Sequence, residues 1–451
     1  MRRGLLAGVT GLVVAAILTA VLLSRRTQSG PDVILISVDT LRPDHLGCYG
    51  YSRDTSPALD AFAAEATVFD NCYAQAPATR PSVAAMLTGL YPHECRVFTN
   101  SDNLPYILQT IPDYLRERGY RTLAVSSNFV LGPNSGFNQG FDVFDHNLEE
   151  LELVRSVPER IAEKTTDAAV RLLEQNRDGS VFLWIHYQDP HGPYTPPAPF
   201  DTAFIDPAGQ PRRVAFSSSL SGVGGIPTYQ RIGDNDDFNY YLGRYDGEIR
   251  YFDVHFRRLL EALKEMGLYD NALIIFTADH GEGMGEHDYY FAHGEYVYNS
   301  LIKVPLVVRY GTGSSGRRQD LVALVDVLPT VLAAVGAEPD SGLVGRNLLE
   351  DEPRPLAVFS EIEGKYSVVE GGMKLVLHAD PQEALLFDLR DDPGEERNLI
   401  GDRDYAADLE SLAAALDRAA MADRLGQDIQ RLPADLTEED RAKLKSLGYI
   451  H

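Results

Sequence analysis

Residues 273–283, LIIFTADHGEG, decide the fold: six apolar, β-rich positions run without a break into an Asp, a His and a glycine-flanked acid. A strand covered on both faces reads as a continuous apolar run rather than an alternation, and parallel sheets sandwiched by helices are where such strands occur. Working outward, the same signature recurs at Val33–Val38 (VILISV), which runs into Asp39-Thr40, and at Val181–Tyr187 (VFLWIHY), which runs into Gln188-Asp189-Pro190-His191. Thr122–Val125 and Val304–Arg309 read as two more buried strands. Helical patterns lie between them at Ser56–Ala66, Pro81–Leu87, Ile107–Arg118, Pro158–Gln175, Tyr240–Met266 and Leu321–Val335. This alternation predicts an α/β domain over residues 31–346, built on a large, mainly parallel sheet sandwiched by helices.

Beyond Arg346 the texture changes. Short β-like runs (LAVFSEI, KYSVVEG, MKLVLH, LLFDL) separated by Gly-Gly and Asp-Pro turns predict a small antiparallel subdomain over 347–400, and 401–451 reads as an acidic helical tail. At the other end, Gly4–Ser24 is uncharged and flanked by Arg2, Arg3, Arg25 and Arg26. As a helix it spans about 31 Å, which matches a bilayer core. Residues 1–30 are therefore expected to be a membrane anchor and linker, with the catalytic part outside the cytoplasm, periplasmic or at the cell surface.

The chain has 451 residues, 41 basic and 66 acidic, for a formal charge of −25. That excludes a basic nucleic-acid binder, so no nucleic-acid partner is expected. An apolar fraction of 44% excludes disorder throughout. Three cysteines allow at most one disulfide, with Cys72 and Cys95 as its candidates, and none has the spacing of a structural zinc site.

In an open α/β sheet, functional groups collect where strands end. Asp39, Asp279, His280 and the Asp189–His191 loop all sit at such ends, and carboxylates with imidazoles suit a divalent metal. Taken singly, each is equally a solvated strand end. Ala76–Val83 (APATRPSV) precedes a helical pattern, which puts Thr79 at or next to a helix N-cap. There it serves as a cap or as a hydroxyl at the positive helix end.

Asn71-Cys72-Tyr73, Pro77–Ser82 (PATRPS) and Leu87–Pro92 (LTGLYP) resemble the nucleophile region of the sulfatase family, part of the alkaline phosphatase superfamily. VDTLRPDHLGCYGY, GFNQGFD, HGPYTPP, YDGEI, ADHGEGMGEH with His293-Gly294, and FDLRDDP follow in family order over roughly residues 31–400. The resemblance implies an alkaline phosphatase/sulfatase-like fold. It also implies one divalent metal held by Asp39, Thr79, Asp279 and His280, with Thr79 as nucleophile and His191 and His293 as catalytic contacts to the ester. Arg80 and Asn128 are expected to bind substrate.

The pattern departs from typical sulfatases at informative places. Thr79 stands where Cys or Ser is oxidised to formylglycine, and oxidising a threonine gives a ketone. Val83 stands at the family's Arg position, and Ser127–Gly132 replaces its Lys- and His-bearing sulfate stretch. Thr40 replaces an Asp and His280 an Asn among the usual ligands, which shifts preference from Ca²⁺ or Mg²⁺ toward Zn²⁺ or Mn²⁺. The expected function is a metal-dependent hydrolase of sulfate or phosphate/phosphonate esters, carried by a glycan or a lipid. The alternatives are a phosphoethanolamine- or phosphoglycerol-type transferase and a non-catalytic binding protein retaining the fold.

Overall fold

The computed structural model describes residues 30–420 apart from 153, 155, 156, 312–314, 339–342, 351–356 and 379, together with 432, 433 and 438. An eight-stranded sheet forms its centre. In chain order the strands are β1 (Val33–Val38), β2 (Thr67–Tyr73), β3 (Arg121–Ser126), β4 (Val143–Asp145), β5 (Val181–Tyr187), β6 (Leu273–Ala278), β7 (Lys303–Tyr310) and β8 (Gly316–Ala323). Across the sheet they run β8–β2–β7–β6–β1–β5–β3–β4. All neighbours are parallel except β7, which is antiparallel to both β2 and β6.

Every residue of β1 and β6 has no solvent exposure, as the continuous apolar runs require. Six helices cover the sheet: α1 (Pro57–Ala64), α2 (Thr79–Thr88), α3 (Ile111–Glu117), α4 (Ala162–Gln175), α5 (Phe238–Glu265) and α6 (Val327–Ala334). Helices α1 and α4 pack on α5, while α2 and α3 pack on α6. On α4, Ala162, Thr165, Ala168, Ala169, Leu172 and Leu173 make the buried stripe that helical periodicity demands. A four-stranded antiparallel sheet follows, β9 (Val358–Ile362), β10 (Lys365–Glu370), β11 (Met373–Leu377) and β12 (Leu385–Asp388), and α7 (Ala406–Ala420) packs on β10 and β11.

Strand register positions the site. Val38 of β1 pairs with Tyr187 of β5 on one side and with Ala278 of β6 on the other. The three central strands therefore end level, and the residues that follow them emerge at one place.

Some expectations need correction. Leu321–Val335 is not one helix: its first three residues finish edge strand β8, and α6 begins at Val327 after the turn at Leu324–Asp326. An unbroken apolar run carries no period to separate strand from helix. The helix expected from Ile107 starts at Ile111, where Thr110 and Asp113 form a capping box. The one expected from Pro158 starts at Ala162, because Pro158–Glu159 pairs with Glu150–Leu151. Cys48, Cys72 and Cys95 are free thiols. The anchor reading at residues 4–24 and most of the tail lie outside the described residues. Among those described, no helix is long and apolar enough to cross a membrane.

Helix α1 starts on a carboxylate lent by α5: Asp253, fully buried, accepts the backbone N–H groups of Ala58 at 3.0 Å and Leu59 at 2.9 Å. Those donors have no intrahelical partner at a helix start. Asp253→Ala is expected to lower stability by about 1–3 kcal/mol, read as a shifted urea midpoint, and to leave metal binding unchanged.

Candidate active site

Asp39 leaves β1 with its N–H bonded to Tyr187 O at 3.0 Å, and Asp279 leaves β6 with its N–H toward Val38 O at 3.3 Å. The two carboxylates are thus held side by side, both without solvent exposure. Oδ1 of Asp279 accepts the N–H groups of His280 at 2.8 Å and Thr40 at 3.3 Å. Thr40 adopts φ +54°, a strained conformation for a β-branched residue, and thereby turns its N–H onto Asp279. Oδ2 of Asp39 accepts the Asn128 amide, whose own oxygen is fixed by Val130 N at 2.8 Å.

Among the carboxylate and imidazole atoms of this cluster, three are buried without a partner among the described residues, Asp39 Oδ1, Asp279 Oδ2 and His186 Nε2, as is the Thr40 hydroxyl. His186, inside the apolar run VFLWIHY, is not among the ligands predicted from the sequence. In register it pairs with Ser37 of β1, and its Nδ1 lies 2.9 Å from Ser37 Oγ, which also accepts Trp184 Nε1 at 2.9 Å. Its Nε2 lies 3.9 Å from Asp39 Oδ2. Ligand atoms of Asp39, His186 and Asp279 all fall within 4.8 Å of one another.

His280 completes the group. Its Nδ1 donates to Gly281 O at 2.9 Å, which leaves the Nε2 lone pair facing Asp39 Oδ1 and Asp279 Oδ2, each at 3.6 Å, and Thr79 Oγ1 at 3.4 Å. Burial pushes the carboxyls of Asp39 and Asp279 well above the usual range, with their mutual repulsion adding to the shift at Asp279. Burial also lowers the pKa of both imidazoles, most strongly at His280, where His293 adds to the effect. Orphaned carboxylate oxygens facing neutral imidazole nitrogens fit a divalent cation, which would satisfy all of them.

Thr79 is the first residue of α2 and is fully buried. The N-cap is Ala78, and no side chain caps the helix. The threonine hydroxyl therefore faces the cluster rather than its own backbone. His293 Nδ1 bonds Glu282 Oε1 at 3.0 Å, and Glu282 Oε2 accepts the Tyr194 hydroxyl at 3.0 Å. The ring centroid of His293 lies 4.6 Å from that of His280 and 5.1 Å from that of His191. Five predicted residues, Asp39, Thr79, Asp279, His280 and His293, thus converge, with His191 beside them.

The two predicted substrate contacts have other engagements. Asn128 holds Asp39. The guanidinium of Arg80 donates to the carbonyls of Val130 at 2.6 Å and Asp102 at 3.0 Å. Arg42 pairs with Asp44 and Glu286 at 2.7 and 2.8 Å and donates to Glu282 O at 3.0 Å. A cavity of about 630 Å³ opens beside Arg42, Glu286 and Lys303 and contains none of the predicted site residues.

The family model described as Sulfatase matches residues 31–337. N-acetylglucosamine-6-O-sulfatase of Bacteroides thetaiotaomicron is 24% identical, the match covering 86% of each chain. The multifunctional alkaline phosphatase superfamily protein PehA of Trinickia caryophylli is 26% identical over 90% of this chain and 98% of its own. Among solved structures, the phosphonate monoester hydrolase of Agrobacterium radiobacter superposes with a TM-score of 0.70 at 23% identity, over 86% of this chain and 95% of that one.

Titrating Zn²⁺ or Mn²⁺ into chelator-treated protein is expected to change the emission of Trp184, the single tryptophan, whose ring lies 6.0 Å from His186. Stability should rise by about 2.7 kcal/mol at a hundredfold excess over Kd. Because the metal-free carboxyls hold their protons above the usual range, binding releases protons and weakens as pH falls. Calorimetry in buffers of different ionisation enthalpy checks this. Asn128→Ala should weaken binding by about 10–100-fold.

Proposed function

The chain belongs to the sulfatase family of ester hydrolases, and from that premise we propose a metal-dependent enzyme that attacks phosphate or phosphonate esters with Thr79 itself, sulfate esters being the second substrate class. One observation carries this reading: a plain threonine hydroxyl, unable to become formylglycine, sits 3.4 Å from His280 Nε2 beside the Asp39–Asp279 pair. Relatives whose names specify N-acetylglucosamine-6-O-sulfate and phosphonate monoesters support both ester classes.

Asp39, Asp279, His186 and His280, with Thr79, would hold the cation, and their imidazole content favours Zn²⁺ or Mn²⁺. Such a cation supplies charge neutralisation of the ester and a lowered hydroxyl pKa. The chain's own residues do the rest. Thr79 Oγ1, its proton released to solvent, adds to the central phosphorus or sulfur atom at the N-terminus of α2 as the bond from that atom to the alcohol oxygen breaks, and the helix dipole favours the developing negative charge. His293 Nδ1 donates to the Glu282 carboxylate, which stabilises the doubly protonated ring, and in that form Nε2 carries the proton that passes to the departing alkoxide and leaves the ring neutral. Water, activated by the same imidazole, then cleaves the Thr79 ester. Because, among the described residues, Arg80 and Arg42 are engaged with backbone carbonyls and carboxylates rather than turned to the Asp39–Asp279–Thr79 cluster, a singly charged ester suits the site better than a doubly charged one. A membrane anchor at Gly4–Ser24 and an extracytoplasmic catalytic domain belong to the same proposal.

Matched p-nitrophenyl esters (sulfate, phosphate monoester, phosphate diester, phosphonate) test it in the Zn²⁺- or Mn²⁺-loaded protein. Diester or phosphonate turnover should lead, and Thr79→Ala should reduce it by roughly a thousandfold or more. His293→Ala should cost about 10²–10⁴-fold, with the smallest loss on the best leaving groups. Selective turnover of the sulfate ester would reject the assignment of Thr79 as a phosphoryl nucleophile.

A further inference from the structure

Gln230 is buried without solvent exposure, and neither its amide nitrogen nor its amide oxygen has a hydrogen-bond partner among the described residues. A glutamine amide offers two donors and an acceptor, so its burial forfeits hydration that nothing in the protein returns. Native interiors seldom tolerate this unless a ligand or an ordered water makes the bonds.

Gln230 closes the turn Thr228–Gln230, late in the irregular segment 201–237 that precedes α5. The adjacent Tyr229 hydroxyl is bonded to Phe291 O at 2.9 Å, on the short strand Tyr290–Ala292 that leads into His293. On its other side the amide lies against Gly192, the residue after His191. A Cβ placed on Gly192 would fall 1.8 Å from Gln230 Nε2 and 2.4 Å from Oε1. Only glycine at 192 admits the amide there. The carboxamide thus lies against the loop that delivers His191, and its neighbour Tyr229 ties the same turn to the strand that leads into His293, the two residues that the proposed reaction places at the alcohol half of the ester.

We propose that Gln230 is a specificity-determining residue of the ester site, its carboxamide reading a hydroxyl or amide group on the alcohol that carries the ester. The inference rests on the ester-hydrolase reading above and adds to it the kind of alcohol selected: a polyhydroxylated or acetamido-bearing one, as in a sugar, over an apolar one. A site with an unmet amide discriminates strongly, because an apolar alcohol leaves that amide unpaired in the closed complex.

The test compares the metal-loaded full chain with its Gln230→Leu variant in two assays. In the first, N-acetylglucosamine binding is measured by calorimetry. Wild type should bind at least tenfold more tightly than the variant; equal affinity, or no binding by wild type, overturns the proposal. In the second, kcat/KM is measured for one phosphoryl group carried on a hexosamine hydroxyl and on p-nitrophenol. The variant should lower the hexosamine-to-nitrophenyl ratio at least tenfold, whereas a parallel loss on both esters means that Gln230 only supports the fold. If wild type turns over neither ester, the hydrolase reading fails by itself, and the sugar-binding comparison still decides the role of Gln230.

Discussion

Two carboxylates buried side by side set the terms for the rest of the molecule. Asp39 and Asp279 leave adjacent parallel strands at the same level, both without solvent exposure. Unbalanced, such a pair would be protonated or would drive the strands apart. The surroundings answer this constraint by strain at Thr40, by backbone donors to one oxygen of Asp279, by the Asn128 amide on Asp39, and by two imidazoles turned so that bare nitrogens face inward. What is left over, two carboxylate oxygens and the Nε2 of His186, has the composition of a cation site.

The geometry that would hold a cation also gathers the polar groups around it. Thr79 enters on α2, a helix whose start is not capped by any side chain, and its hydroxyl faces His280 instead. His293 enters from the other side, oriented by Glu282, which Tyr194 holds in turn. In the proposed reaction, nucleophile and proton donor thus approach from separate elements, and neither needs oxidative maturation. A glycine at 192 lets the buried Gln230 amide pack against the loop that delivers His191.

Much of this was legible in the sequence. Strands β1, β5 and β6 are bounded where their apolar runs are bounded, because full burial on both faces leaves no polar position to blur the edges. Strands β2 and β8 were missed: TVFDNCY and GRRQDLVA mix polar and apolar residues, as suits strands at and next to the sheet edge. The antiparallel direction of β7 carries no local signal at all. Asp39, Asp279 and His280 were singled out by their position at strand ends and by the family pattern, and the fold brings them together. His186 was missed because it lies inside a run that was read for its hydrophobicity, although a lone imidazole in a fully buried strand is itself a signal that a partner is needed. Glu282 stands in the glycine-flanked motif, but its bonds to His293 and to the distant Tyr194 are tertiary, and Gln230 meets Gly192 across a long stretch of chain with no local pattern to mark it.

The central claim is that the Thr79 hydroxyl makes a covalent bond to the substrate. The most direct measurement is peptide mass spectrometry of the metal-loaded protein, quenched in acid during steady turnover of a phosphate diester or phosphonate ester. The account predicts a phosphoryl or phosphonyl adduct on the Thr79 hydroxyl that disappears once substrate is exhausted. Turnover with no adduct, an adduct on a different residue, or a Thr79 oxidised to the ketone before substrate is added would contradict it.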